Sequence, residues 1–146
     1  MKKSFFILAA LIGFGIGVNA QMSSTVAVGT KAFEILQSLS NASQQQFGNH
    51  FLTAKQIYEK KGGDANELSD YYKTIYNTLL NSGIVWSKVQ FVAFNAGTLD
   101  KDNFCGDSTL VFSYQNTKYY VKLGYFLYNS KYYLLTIRGG VKVYPF

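Results

Sequence analysis

The chain has 146 residues, of which 15% are charged, and its formal net charge is +6 at pH 7. The lysines are scattered along the chain, and Arg138 is the only arginine. Proteins that bind nucleic acids concentrate Lys and Arg on one face and use Arg for bidentate contacts to bases. The composition therefore argues against a nucleic-acid partner, and the length is that of a single domain.

The first twenty residues have the pattern of a secretory signal peptide. Lys2 and Lys3 precede the apolar run Phe5–Val18, and small residues end the segment at Ala20. The run is shorter than the roughly 20 residues that a membrane-spanning helix needs. We therefore predict cleavage after Ala20, export to the periplasm or the medium, and no stable membrane anchor. An uncleaved N-terminal anchor is the alternative. Residues 21–146 would then form one domain.

Two or three helices are predicted after the signal peptide. Apolar residues within 25–40 recur at helical spacing, and a second helical stretch covers 43–61, either as one helix or as two pieces with the second starting at Thr53. The next helix has the clearest pattern. Asp64 can cap its N-terminus and Gly83 follows its C-terminus.

From residue 84 the apolar period changes from helical to two, which indicates strands. The four predicted strands are Ile84–Asn95, Leu110–Gln115, Lys118–Tyr128 and Lys131–Arg138. Tight turns are predicted at Asn116-Thr117 and Asn129-Ser130, because two-residue connections that begin with Asn suit hairpins. Helices followed by hairpin-linked strands indicate an α+β fold, with two or three N-terminal helices packed on a curved four-stranded antiparallel meander.

The two predicted hairpins differ in how well they separate polar from apolar residues. In the first, a two-residue turn pairs Phe112 with Val121 and places the apolar residues of both strands on one face. In the second, pairing Leu127 with Tyr132 leaves apolar residues on both faces. Either the register shifts along this hairpin or both faces of the sheet are covered.

The strand opener Ile84-Val85-Trp86 and the aromatic hairpin formed by 119–125 and 131–134 resemble small exported proteins of the nuclear-transport-factor-2-like, cystatin-like kind. This resemblance implies a cone, in which a bent sheet wraps round a long helix and encloses a pocket. Enzymes, binding proteins and assembly modules share that architecture, so the resemblance alone does not choose a function.

Few residues suggest catalysis or metal binding. An enzyme of the cone type would use His50, the only histidine, or an Asp with a Tyr. Cys105 is the only cysteine, so it is a buried or free thiol or it pairs between chains. The loop that begins at Asp100 starts like a calcium loop, but Phe104 and Cys105 occupy its fifth and sixth positions. No metal and no cofactor are predicted.

The remaining candidate site is the sheet face opposite the one that packs on the helices. We expect it to carry a mixture of aromatic rings and lysines: Trp86, Lys88, Tyr120, Lys122, Phe126 and Tyr128. Such a face can stack on sugar rings, bind a peptide or another protein, or form a homodimer. The alternative is that this face is itself buried or covered by another segment.

These observations lead to three hypotheses about function. The first is an exported, non-catalytic binding or protein-interaction module of unknown ligand. The second is a small pocket enzyme that uses His50 or an Asp with a Tyr. The third is a structural subunit of a surface assembly. Composition and motifs favour the first, because no set of nucleophile, base and metal ligands is visible in the sequence.

Overall fold

The computed structural model describes residues 21–145, and over this range four α-helices precede a four-stranded sheet. The helices are α1 (Thr25–Ser38), α2 (Gln44–Asn49), α3 (Leu52–Lys60) and α4 (Ala65–Leu80). The strands are β1 (Gln90–Asn95), β2 (Phe104–Tyr114), β3 (Thr117–Tyr128) and β4 (Lys131–Val143), and they pair antiparallel in chain order. The α+β meander is confirmed. The predicted signal peptide lies outside the described residues.

Short polar side chains begin three of the four helices. Ser24 accepts a hydrogen bond from the Ala27 amide, Ser43 forms a reciprocal capping box with Gln46, and Asp64 accepts from the first amides of α4. The stretch 43–61 forms two helices, and the break falls at Phe51 rather than at Thr53. The Phe51 backbone leaves the helical conformation while its side chain is fully buried. None of the helices in 21–145 is both long and apolar enough to span a membrane.

The face of the sheet that carries Leu110, Phe112, Val121 and Leu123, here called the first face, packs into the core. All four side chains are 0% exposed. Helix α1 crosses this face so closely that Gly29 touches the ring of Phe94. The first face therefore matches the prediction from the sequence.

The predicted first strand is wrong over its N-terminal half, because Trp86–Lys88 form a 3₁₀ turn and β1 begins only at Gln90. Trp86 is 2% exposed, its ring packs 5.5 Å from that of Phe112, and its indole Nε1 donates to the Leu79 carbonyl at 3.1 Å. Burial of this large side chain outweighs the strand propensity of its neighbours.

The first hairpin turns one residue earlier than predicted, at Gln115-Asn116, and both of these residues have positive φ. A two-residue turn of this type needs positive φ at both positions, which a β-branched residue such as Thr117 resists. Phe112 therefore pairs with Tyr119 instead of Val121, and the assignment of faces is unchanged because the shift is even. The second predicted turn, at Asn129-Ser130, is confirmed.

Bulges interrupt the strands on both sides of β3. In β2 the register shifts at Gly106-Asp107, and in β4 Leu135 is an extra residue between the pairs Tyr125–Leu134 and Gly124–Thr136. An inserted residue reverses which side chains point to which face. Beyond Leu135, even-numbered β4 residues such as Thr136 therefore lie on the face opposite the core, here called the second face. Strand β2 begins earlier than predicted, at Phe104, and β4 continues to Val143 through a further register shift between Arg138 and Lys142.

The outer edge of β4 is closed by hydrogen bonds from other segments. The Tyr72 hydroxyl donates to the Leu135 carbonyl at 3.0 Å, and the Tyr71 hydroxyl donates to the Ile137 carbonyl at 3.2 Å. Met22 forms a backbone bridge to Tyr132 at the same edge. These contacts satisfy backbone groups that would otherwise be open to another strand, and they fix α4 against the sheet.

The second face is partly covered by the α3–α4 hairpin. Lys61, at the end of α3, places its Nζ 5.8 Å from the ring centroid of Phe126, and Phe126 is only 4% exposed. Of the two alternatives for the second hairpin, coverage of both faces is correct: Phe126 pairs with Tyr133 as predicted and both are buried, and the register shifts only at Leu135, beyond the predicted pairs.

We expect Gly29→Ala to lower the free energy of unfolding by about 1–3 kcal/mol, because an added Cβ would overlap the Phe94 ring. Gly48→Ala is the matched control, since a Cβ there meets nothing within 4 Å, and it should stabilise by about 0.5–1 kcal/mol. Urea unfolding measures both. Equal effects of the two substitutions would contradict the close packing of α1.

Candidate functional site

A cleft lies between the α3–α4 hairpin and the second face of the sheet. It consists of two cavities of about 170 Å³ and about 280 Å³ that share Tyr58 and Phe104. The smaller cavity is also lined by Lys61, Gly63, Asp102 and Phe126. The larger one is also lined by Glu67, Leu68, Tyr71, Thr136 and Arg138. The exposed lining of the smaller cavity is almost entirely apolar, whereas Glu67, Thr136 and Arg138 add polar groups to the larger cavity.

The smaller cavity is therefore the apolar end of the cleft, and the larger cavity is its polar end.

The two aromatic walls of the cleft rest on glycines. The Phe104 ring lies over Gly106 and Gly124, where an added Cβ would come within 3.2 Å and 3.4 Å of ring carbons. The Tyr58 ring lies directly on Gly63, and a Cβ there would overlap it. Large rings can lie flat against a backbone only where no side chain intervenes, so these glycines set the width of the cleft.

At the apolar end, the floor is an aromatic pair within the sheet. Phe126 stacks on Tyr133 with ring centroids 5.5 Å apart. The Lys61 ammonium lies 5.8 Å from the Phe126 centroid and 6.0 Å from that of Tyr128, within the range of cation–π attraction. The apolar end therefore offers ring surface to a ligand, and the Lys61 ammonium at this end already contacts two aromatic rings.

At the polar end, Thr136 is 8% exposed, and its hydroxyl has no hydrogen-bond partner in the part of the chain that the structure describes. Arg138 lies two residues further along the same face and is exposed; its Nη1 donates a long bond of 3.4 Å to the Gly106 carbonyl, and its guanidinium also contacts the Tyr71 hydroxyl. Burial raises the pKa of Tyr71, and the positive charge of Arg138 opposes that rise. A buried hydroxyl without a partner is costly and marks a place where a ligand group can bind.

Four of the six residues predicted as a site do share the second face: Tyr120, Lys122, Phe126 and Tyr128. They do not form one site, because Tyr120 and Phe126 are six residues apart on one strand, roughly 20 Å. Tyr120 contacts Tyr144, and Lys122 donates to Thr109, both outside the cleft. Phe126 and Tyr128 lie at its apolar end.

The other two predicted site residues are placed elsewhere. Trp86 is buried in the core, so its expected position on an open face is wrong, and Lys88 is exposed in the 3₁₀ turn, outside the sheet. The physical reason is the 3₁₀ turn over Trp86–Lys88. It interrupts the extended backbone before β1 begins and places the Trp86 ring against Phe112 in the core.

Sequence reasoning missed the residues that define the cleft, above all Tyr58, Phe104, Thr136 and Arg138. Phe104 was assigned to a loop, and an unbroken β4 register would put Thr136 and Arg138 on the first face. The available signal was the pair Gly106 and Gly124 near an aromatic residue, since glycine within a strand often marks a bulge or a close approach.

A second polar cluster surrounds Cys105, which is 0% exposed. Its Sγ lies 3.0 Å from Asp107 Oδ1 and 3.3 Å from the Ala96 carbonyl, which also accepts from the Tyr125 hydroxyl at 2.6 Å. Burial and the bond to Asp107 raise the pKa of the Cys105 thiol. The Tyr125 pKa is raised as well, chiefly by burial. Both groups therefore keep their protons and tie the 96–98 loop to the sheet, and a protonated thiol is a poor nucleophile.

His50 lies at the C-terminal end of α2 and is half-buried. Burial lowers its pKa, and the charge of Lys31 adds to that effect. No hydrogen bond joins His50 to a carboxylate within residues 21–145, and it does not line the cleft. The hypothesis of catalysis by His50 stays a prediction.

The loop that begins at Asp100 is closed by its own hydrogen bonds. Asp100 Oδ1 accepts from the amides of Asp102 and Phe104, and Asn103 adopts positive φ. Over residues 21–145, no three His, Cys, Asp or Glu side chains come together as a group of metal ligands. Asp100 thus orders the turn that leads Phe104 into β2.

We expect Thr136→Val to raise the free energy of unfolding by about 1 kcal/mol, because it removes a buried hydroxyl that has no partner and keeps the side-chain shape. Ser108→Ala is the contrasting variant. The Ser108 hydroxyl is 0% exposed and donates to the Leu123 carbonyl at 2.8 Å, so its loss should cost about 1–2 kcal/mol. Urea unfolding measures both, and a destabilised Thr136→Val would show that the hydroxyl is satisfied.

The Cys105 thiol should make stability fall at alkaline pH. Its ordinary pKa is 9.0 and the folded value is higher, so the unfolded chain loses the proton first as pH rises. The free energy of unfolding then decreases by up to about 1.4 kcal/mol per pH unit above that value. Urea unfolding from pH 7 to pH 10 should show this loss in the wild type and a smaller one in Cys105→Ala. Parallel curves would contradict the raised pKa.

No family model, no curated protein and no solved structure matches the chain. The function is therefore argued from the geometry of the cleft.

Proposed function

We propose that the protein is an exported, non-catalytic binding module whose cleft holds the apolar part of a small ligand. The observation that carries this proposal is the pair of glycine-seated rings, Tyr58 and Phe104, which line both cavities. Rings fixed in this way offer flat apolar surface at little cost in side-chain entropy. The signal-peptide pattern of residues 1–20 supports export.

The dimensions of the cleft support a small ligand. Its larger cavity, about 280 Å³, is close to the lower limit of roughly 300 Å³ for small-molecule sites. A ring system of one or two rings fits this space, whereas a folded protein needs a larger and flatter contact area. Thr136 adds one buried hydroxyl that has no partner among residues 21–145. An apolar cavity with a few convergent polar groups is typical of ligand sites.

The other hypotheses stay predictions. They are an enzyme that uses His50 or an Asp with a Tyr, a subunit of a surface assembly, and a homodimer or a protein, peptide or glycan partner on the second face. The curved sheet and cone implied by the resemblance to nuclear-transport-factor-2-like, cystatin-like proteins also stay predictions. The cleft is compatible with such a cone but lies on the second face, outside the core that α1 covers.

Indole is a suitable first probe, because it is neutral and has two fused rings. In an NMR titration of the ¹⁵N-labelled full chain, we expect the largest shifts at the amides of Tyr58, Gly63 and Phe104, with a dissociation constant on the order of millimolar. Phe104→Ala removes one wall and should weaken binding about tenfold, which corresponds to roughly 1.4 kcal/mol.

Tyr120→Ala is the matched control, since it removes a ring from the same sheet face outside the cleft. It should leave the dissociation constant of indole unchanged. If Phe104→Ala fails to fold, Tyr58→Ala tests the other wall. Shifts that map outside the cleft, or equal binding by all variants, would refute the proposed function.

A further inference from the structure

We infer that the polar end of the cleft binds a carboxylate through Arg138, so that the ligand is a small apolar ring compound carrying a carboxylate. This inference rests on the proposed function, because it assigns a chemical class to the ligand of the same cleft. Its basis is the one arginine of the chain, which lines the cleft beside a buried hydroxyl that has no partner.

Arg138 has no carboxylate within 4.0 Å over residues 21–145, where the ion pairs are Lys31–Glu34 and Lys73–Asp70. Its guanidinium is held only by the 3.4 Å bond to the Gly106 carbonyl and by its contact with Tyr71. A guanidinium carries five donors, and most of these are still available at the cleft. The planar group is suited to bidentate binding of a carboxylate.

The position of Arg138 relative to the rings defines the shape of the ligand. Phe104 contacts both cavities, and its ring lies over Gly106, whose Cβ position is also 2.9 Å from Arg138 Nη1. A ring stacked on Phe104 would therefore have the guanidinium close to its edge. This geometry fits a carboxylate joined to the ring by a short linker.

Three other charged residues line the cleft, Lys61 and Asp102 at the apolar end and Glu67 at the polar end, and Lys122 lies opposite Arg138 on β3. Lys61 is at the apolar end, where its ammonium faces the rings of Phe126 and Tyr128 and is less available to an anion. Glu67 lines the polar end, and its carboxylate repels an anion bound at Arg138. Glu67 therefore weakens binding, and its neutralisation should strengthen it.

The test compares indole-3-propionate with indole-3-propionamide, which has the same shape without the charge. Because Arg138 is exposed, an ion pair with it contributes up to about 1 kcal/mol, so in NMR titrations of the full chain at low salt we expect the acid to bind about three- to fivefold more tightly than the amide. Arg138→Gln should abolish this preference, and Arg138→Lys should retain part of it. Glu67→Gln should tighten the acid two- to threefold and leave the amide unchanged.

Lys118→Gln is the matched control, because Lys118 carries the same charge on the same sheet face, four residues along β3 from Lys122, the residue that pairs directly with Arg138. It should leave the preference for the acid intact. Equal binding of acid and amide by the wild type would overturn the carboxylate assignment, and so would a preference that survives Arg138→Gln or disappears in Lys61→Gln. A peptide Gly-Gly-Phe that binds tenfold more tightly than indole-3-propionate would overturn the assignment to a small molecule.

Indole itself separates the two levels of the proposal. If indole and the amide bind in the cleft but the acid binds no more tightly than the amide, the proposed function stands and the carboxylate inference fails. If none of the three probes shifts the amides that line the cleft, the proposed function fails and the inference fails with it.

Discussion

The hydrogen bond from the Tyr72 hydroxyl to the Leu135 carbonyl connects the two parts of the molecule that form the cleft. Leu135 is the bulge residue of β4, and Tyr72 is a buried residue of α4 that also stacks on Phe51 with ring centroids 4.8 Å apart. One contact thus fixes the helical hairpin against the strand edge at the point where the strand changes its face. Without the bulge, Thr136 and Arg138 would point into the core.

The cleft combines rigid apolar walls with an incompletely satisfied polar end. Gly63, Gly106 and Gly124 let aromatic rings lie against the backbone, which gives a cleft of fixed width. The Thr136 hydroxyl, in contrast, contributes a cost to the folded state because it has no partner among the described residues. Local costs of this kind persist in proteins where function requires them, and a bound ligand can offset them by adding its own binding energy to stability.

Local sequence signals accounted for much of the fold. Asp64 marks the start of α4 because its side chain accepts hydrogen bonds from unpaired amides in the first turn, as Ser24 and Ser43 do in the structure for α1 and α2. Asn129-Ser130 marks a hairpin because the turn needs residues that tolerate positive φ. The prediction for Trp86 failed, because its position is set by contacts with Leu79 and Phe112 rather than by its neighbours in sequence.

The sequence by itself determined the order of helices and strands, the first face of the sheet and a leader-like N-terminal pattern, since each depends on neighbouring residues or on a regular period. Only the tertiary structure decided where the cleft lies. A single extra residue at Leu135 reverses the faces of β4, and no local pattern marks that residue, because the bulge is held by Tyr72 from a distant helix. Tyr58 on α3, Phe104 on β2, and Thr136 and Arg138 on β4 come from three separate elements and meet only when the α3–α4 hairpin packs on the sheet.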